Sequence, residues 1–190
     1  MERCLLCKDT KQREYEMKRN NVKKLALAGV FCALAVVGSL ISFPVLGSKC
    51  APVQHIVNVL CAVILGPGYG LGVAFAASLL RNLLGMGTLL AFPGSMIGAL
   101  FGGLAYRKWK KLGAACLGEV FGTSVLGGLC AWPMAILFMG KSAGDVAFYA
   151  YIVPFLISTA VGSALAWLLL AALSKSKLLS RLQAELNAEK

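Results

Sequence analysis

Three observations predict an all-α integral membrane protein, a bundle of six transmembrane helices with both termini in the cytoplasm. Apolar residues make up 58% of the 190-residue chain, charged residues only 14%, and mean hydropathy is +0.76. A soluble domain carries about 25% charged and about 45–50% apolar residues, so a soluble enzyme, a disordered chain and a disulfide scaffold are all excluded. The 19 Lys and Arg against 8 Asp and Glu give a net charge of +11, which in a soluble chain suggests nucleic acid. Here the charges lie in short stretches between long apolar runs. They read as cytoplasmic loops, so no nucleic-acid partner is expected. The third observation is that six spans place every basic cluster on one side.

The elements follow in order. Residues 1–24 form a basic cytoplasmic tail containing Arg3, Lys8, Lys11, Arg13, Lys18, Arg19, Lys23 and Lys24. Met17-Lys18-Arg19-Asn20 itself reads as a chain start, so residues 1–16 are taken as a loose tail or an overrun, with no fold. Leu25 to Leu46 carries no charge and, at about 1.5 Å per residue, matches a hydrocarbon core of about 30 Å. A signal peptide has a shorter apolar stretch of about 7–15 residues, so this run is an uncleaved first span. Cys50 to Leu80 is also uncharged, but Gly66-Pro67-Gly68-Tyr69-Gly70 interrupts it, and Pro and Gly at that density make a turn between two helices. The remaining runs are Thr88 to Tyr106, Leu112 to Met139 and Val146 to Leu173. With two helices between 50 and 85, Arg107, Lys108, Lys110, Lys111, Lys175, Lys177 and Arg181 share the side of the N-terminus; with one, both clusters would face outward, against the positive-inside rule. The membrane domain is therefore residues 25–173, followed by a cytoplasmic tail, 174–190, and the chain is a multi-pass protein of the cell membrane. The outward loops near 47–52, 84–92 and 140–145 hold only Lys49, Lys141 and Asp145.

Lipid supplies no hydrophobic drive between helices, so close approach through small residues holds them together. Gly94, Gly98 and Gly102 recur every fourth residue, as do Gly118 with Gly122 and Gly68 with Gly72. These read first as packing seams. The first helix has a similar stripe, in which Gly29 pairs with Ala33, Ala28 with Cys32 and Ala35 with Ser39. It is either another seam or a docking face for a second membrane protein.

Ionisable groups inside the membrane cost about 2.5–3.5 kcal/mol on insertion and mark functional sites by default. Arg81 and Glu119 are such groups. Arg81 and Asn82 fall near the outer end of the third helix, level with Gln54, His55 and Asn58 of the second, Cys130 and Trp132 of the fifth, and Tyr149 and Tyr151 of the sixth. Four helices thus deliver polar and aromatic side chains to one depth, the composition of a small-molecule pocket opening outward. Each has a plainer alternative. Arg81 can snorkel to headgroups or cap its helix, His55 can be an interfacial hydrogen-bonding residue, and Trp132, Tyr149 and Tyr151 can belong to an aromatic belt, as Tyr106 and Trp109 can at the inner interface. Glu119, about 10 Å in from the inner side, is either part of the pocket or a buried helix-to-helix contact, protonated or paired with Arg81. That depth argues against a His55–Glu119 catalytic pair.

Several chemistries lack their signatures. The sequence has no GxxxxGK[ST], so the chain cannot use ATP by itself, and no HExxH or acidic pair. Gly140-Lys141-Ser142-Ala143-Gly144 has the GxSxG spacing but lies in a loop between two apolar runs, not on a strand-to-helix turn that would expose a nucleophile. A single histidine does not build a His-rich metal site, and Cys4-Leu5-Leu6-Cys7 is a lone pair of thiols. The five other cysteines lie in or beside helices, where thiols pack as small apolar groups. No catalytic residue, metal or cofactor is expected.

Leu65-Gly66-Pro67-Gly68-Tyr69-Gly70, the helix end Arg81-Asn82-Leu83-Leu84, and a basic N-terminus running into a small-residue helix resemble the substrate-binding S components of energy-coupling factor (ECF) vitamin transporters. Lys49-Cys50-Ala51-Pro52-Val53-Gln54-His55, Phe92-Pro93-Gly94-Ser95 and Gly118-Glu119-Val120-Phe121-Gly122-Thr123 are most similar to the ThiW branch, linked to the thiazole precursor of thiamine. The likeness covers residues 18 to 173. It implies a six-helix S-component fold and partnership with a membrane coupling protein and two cytoplasmic ATPases. It also implies docking through Ala28, Gly29, Cys32 and Ala33, and a lid at residues 47–52. Hydroxyethylthiazole, small, planar and neutral near pH 7, calls for stacking on Trp132, Tyr149 or Tyr151 and hydrogen bonds from His55, Asn58, Asn82 or Thr123. A phosphorylated ligand would bring Arg81 forward. Thiamine or its pyrimidine half is the alternative substrate, and a membrane scaffold without transport the alternative function.

Overall fold

The computed structural model describes residues 2–45, 48–140, 142 and 147–186, with side chains from Met17 onward except at 45 and 48. Lys141 and Asp145 of the expected third outward loop lie outside the described residues. The chain forms helices α1 (Glu2–Gly38), α2 (Pro52–Ile64), α3 (Pro67–Leu83) and α4 (Ala91–Trp109). A rod follows, made of α5 (Leu112–Phe121), a π-helical turn (Gly122–Gly127) and α6 (Gly128–Met139). The last two helices are α7 (Ile152–Lys175) and α8 (Leu178–Leu186). A two-stranded hairpin, β1 (Phe43–Val45) against β2 (Ser48–Cys50), separates α1 from α2, pairing Phe43 with Cys50 and Pro44 with Lys49.

Each of the six apolar runs contains a helix, but that of the first stops at Gly38 rather than continuing to Leu46, and Phe43–Val45 within the run forms β1. Three of the described helices are long and apolar enough to cross a membrane: Met17–Gly38, Leu112–Met139 and Ile152–Lys175. Helix α2 is the exception that shapes the fold. Its 13 residues span only about 20 Å, and nearly all of them are buried, because it packs among α1, α3, α4 and α7 as a central rod whose polar residues Gln54, His55 and Asn58 find partners inside the bundle. Pro52 starts it and Gly66 stops it. A proline at the first helical position loses no hydrogen bond. Gly66 has φ +90° and ψ 176°, a conformation open only to glycine, and Pro67 then starts α3 at once. The turn expected at 66–70 is this two-residue reversal. Gly66→Ala is expected to cost about 1–3 kcal/mol, measurable as a fall of several degrees in the Tm of the detergent-solubilised protein.

The α4–α5 interface is a glycine seam. A Cβ at Gly118 would sit 2.7 Å from the Phe101 carbonyl oxygen, one at Gly122 3.0 Å from Gly98 Cα, and one at Gly127 2.6 Å from Gly94 Cα. The stripe on α1 is different. Gly29, Gly68 and Gly72 have open space where a side chain would lie, and together with Leu25, Ala28, Cys32, Tyr69, Val73 and Ala76 they border an apolar groove between α1 and α3. Ala28 is buried while Gly29 and Ala33 are exposed, so the expected docking residues lie on both sides of this packing line.

Both expected tails carry structure. Helix α1 begins at Glu2, so the stretch given no fold is continuous with the first apolar helix. At the other end α8 folds back: Leu179 and Leu186 are buried, Leu182 is half-buried on the same face, and Gln183 Nε2 donates to the Val63 carbonyl at 2.8 Å and to Tyr106 Oη at 3.2 Å. The 179, 182, 186 spacing is the amphipathic signal that a reading of residues 174–190 as a tail overlooks.

Candidate functional site

The polar residues of α2 meet those of α3, α4 and the α5 rod in one connected network. Glu119 is fully buried. Its Oε1 lies 2.9 Å from His55 Nδ1 and accepts from Asn58 Nδ2 at 3.0 Å and Thr123 Oγ1 at 3.1 Å. Asn58 Nδ2 also reaches the Ser95 carbonyl at 3.2 Å. The Ser95 and Ser78 hydroxyls are 2.9 Å apart, and Gln54 Nε2 donates to Ser78 Oγ at 3.3 Å. His55 and Asn58 stand three apart on one face of α2, and Glu119 and Thr123 four apart on one face of the α5 rod.

This geometry corrects the depth estimate that held His55 and Glu119 apart. Helix α2 is too short to reach from one membrane face to the other, and the β-hairpin precedes it, so His55 and Asn58 sit deeper than a full-length helix would place them. Close approach to α7 allows this position: a Cβ at Gly162 would fall 2.7 Å from His55 Cβ. Glu119 pairs with His55. Among the described residues it forms no ion pair with Arg81.

On the hairpin side of the network lies a cavity of about 40 Å³, room for a water molecule or two. Its walls are Lys49 of β2, Ala51, Gln54 and His55 of α2, Arg81 of α3, Ala91, Gly94 and Ser95 of α4, Thr123 of the π-helical turn, and Phe155 and Ser158 of α7. Asn58 and Glu119 stand directly behind His55 and Thr123. The hairpin is fastened over α7, since Cys50 Sγ donates to the Pro154 carbonyl at 3.3 Å and the Ala51 amide to Ser158 Oγ at 3.1 Å. Where a loop over the pocket was expected, the chain therefore forms strands with defined pairing.

Arg81 is 3% exposed and so does not snorkel; it forms part of the cavity wall. Asn82 points elsewhere, donating from Nδ2 to the Ser78 and Thr88 carbonyls at 2.8 and 3.2 Å, which ties down the turn into α4. Trp132 is half-buried on α6 outside the cavity wall. Tyr149 is 57% exposed and stacks edge-on against Phe148. Tyr151 packs beside Phe155 with Leu90, Ala131 and Ala135. The aromatic ring in the cavity wall is Phe155, whose Cε2 lies 2.9 Å from where a Gly94 Cβ would be. Sequence reasoning missed Phe155, Ser78, Ser95 and Ser158. A Phe inside an apolar run gives no contrast, whereas the serines lie at positions where Ser78 continues the face of Arg81 and Asn82 at helical spacing.

Apolar helices long enough to span a bilayer, packed round a small cavity with hydrogen-bonding groups in its wall, define a multi-pass membrane protein. The family model for thiamine-precursor transporter protein (ThiW) matches residues 25–176, and the chain belongs to that family. A comparison with curated proteins finds no match.

Proposed function

We propose that this protein is the substrate-binding membrane subunit of an ECF-type importer. It captures hydroxyethylthiazole from outside the cell and hands it on with a membrane coupling protein and two cytoplasmic ATPases. In this reading α1, α3, α4, the α5–α6 rod and α7 each cross, and α2 together with the β-hairpin ahead of it completes the sixth pass. The termini and the basic groups at 107–111 and 175–181 lie in the cytoplasm, as the positive-inside rule requires, and the hairpin covers the outer end. The observation that carries the proposal is the cavity itself: in a chain of this family, hydrogen-bonding groups from α2, α3, α4, α7 and the π-helical turn converge with one aromatic ring, Phe155. That set suits a small planar heterocycle with one hydroxyl. The absence of a nucleotide-binding sequence agrees with energy supplied by other subunits.

The test is ligand-induced stabilisation of the purified full-length protein. Hydroxyethylthiazole at about 100 times its Kd is expected to add about 2.7 kcal/mol to the unfolding free energy, read as a rise in Tm. Phe155→Ala is expected to reduce that rise. A Tm indifferent to hydroxyethylthiazole, its phosphate ester, thiamine and the pyrimidine precursor overturns the reading.

A further inference from the structure

One charge at this site has no counterpart. Arg81 is buried and lines the cavity, and its Nε has no hydrogen-bond partner. Between residues 17 and 140 Glu119 is the chain's single carboxylate. One oxygen of that carboxylate is held by His55, Asn58 and Thr123, the other has no partner, and Glu119 does not line the cavity. A guanidinium removed from water without an acceptor is strongly unfavourable, and low dielectric surroundings raise the gain from supplying one. Lys49, from the hairpin, lines the same space. The walls therefore carry two cations and no carboxylate.

We propose that Arg81, with Lys49, recognises an oxyanion on the ligand, so that the cavity prefers the phosphate monoester of hydroxyethylthiazole to the free alcohol and disfavours cationic thiamine. This rests on the function proposed above and specifies its substrate class. The planar guanidinium fork matches two phosphate oxygens at once, which a lysine ammonium does not. Phe155 is left for the ring, with the Ser158 hydroxyl, which accepts from the Ala51 amide, still able to donate; Ser95 and Thr123 already donate to Ala91 and Glu119. Thiamine presents a positive charge to two cations, and its alkylated ring nitrogen has lost the lone pair that would accept a hydrogen bond.

The experiment compares the affinities of hydroxyethylthiazole, its phosphate ester, thiamine and inorganic phosphate for the full-length protein in nanodiscs of neutral lipid. The ester is expected to bind at least about tenfold more tightly than the alcohol, with thiamine and inorganic phosphate weaker than the ester. In Arg81→Gln the ratio of ester to alcohol is expected to collapse towards one, and in Arg81→Lys to fall partway. An ester no tighter than the alcohol overturns the inference and leaves the proposed function standing. Inorganic phosphate equal to the ester also overturns it, since the ring would then contribute nothing. If neither thiazole compound binds, both fall. The wild-type ranking decides the matter even if the Arg81 variants do not fold.

Discussion

Glu119→Ala is expected to lower the Tm of the purified protein by about 10 °C. The side chain is fully buried, and one of its oxygens receives hydrogen bonds from both α2 and its own rod. Alanine leaves His55, Asn58 and Thr123 without that acceptor, and breaking a buried paired network by removing one partner costs about 3–5 kcal/mol. For a chain of this size each kcal/mol moves Tm by about 2–4 °C. Glu119→Gln keeps an oxygen for the same donors but puts an amide where Oε2 has no partner, so its loss should be smaller, about 1–3 kcal/mol. Equal melting of wild type and Glu119→Ala would show that the network does not fasten α2 to the rod.

The second large effect belongs to Gly98. A Cβ there would overlap Thr123 Oγ1 and sit 2.7 Å from Glu119 Oε2. Gly98→Ala is therefore expected to push the α5 rod away from α4, with an overpacking cost of about 1–3 kcal/mol and loss of ligand-induced stabilisation. Gly29→Ala and Gly113→Ala supply the contrast. Both glycines are helical with nothing near the would-be methyl, so alanine there should be neutral or stabilising by up to about 1 kcal/mol. Thr123→Ala in the Gly98→Ala background should recover part of the loss, a coupling that a double-mutant cycle measures. Three alanine variants with the same Tm would mean that the seam is not tightly packed.

Much of this was legible in the residue order. Charge-free runs located the helices, and Gly66-Pro67 located the reversal between α2 and α3. The rarity of charge within the runs singled out Arg81 and Glu119. What was not legible was depth and facing. Reading each apolar run as a complete crossing sets His55 and Glu119 at different levels, because nothing local announces that α2 is a short central rod. The aromatic side chains expected to stack suffered from a different cause. A π-helical turn at Gly122–Gly127 changes the residue count per turn, and at 3.6 residues per turn one added residue rotates everything downstream by about 100°. Depth along the rod sets Trp132 level with the pocket, but the π-helical turn changes the direction it faces relative to Glu119. Tyr149 and Tyr151 precede α7, so helical phase says nothing about them.

The contact between α4 and α5 also decides which part of the protein can yield. A cavity of about 40 Å³ is far below the roughly 300–1,000 Å³ of typical small-molecule sites, so accommodating any guest requires enlargement. Where Gly98 meets Gly122 and Gly94 meets Gly127, main chain abuts main chain and no rotamer is available to move; that boundary behaves as an anvil. Compliance must come from the opposite boundary, where the Phe155 ring, the long Lys49 and Arg81 side chains and the β-ribbon can swing. Loading of the guest would then be sensed first by the ribbon and α7, and the two glycine-lined backbones would serve as the fixed reference against which that displacement is made.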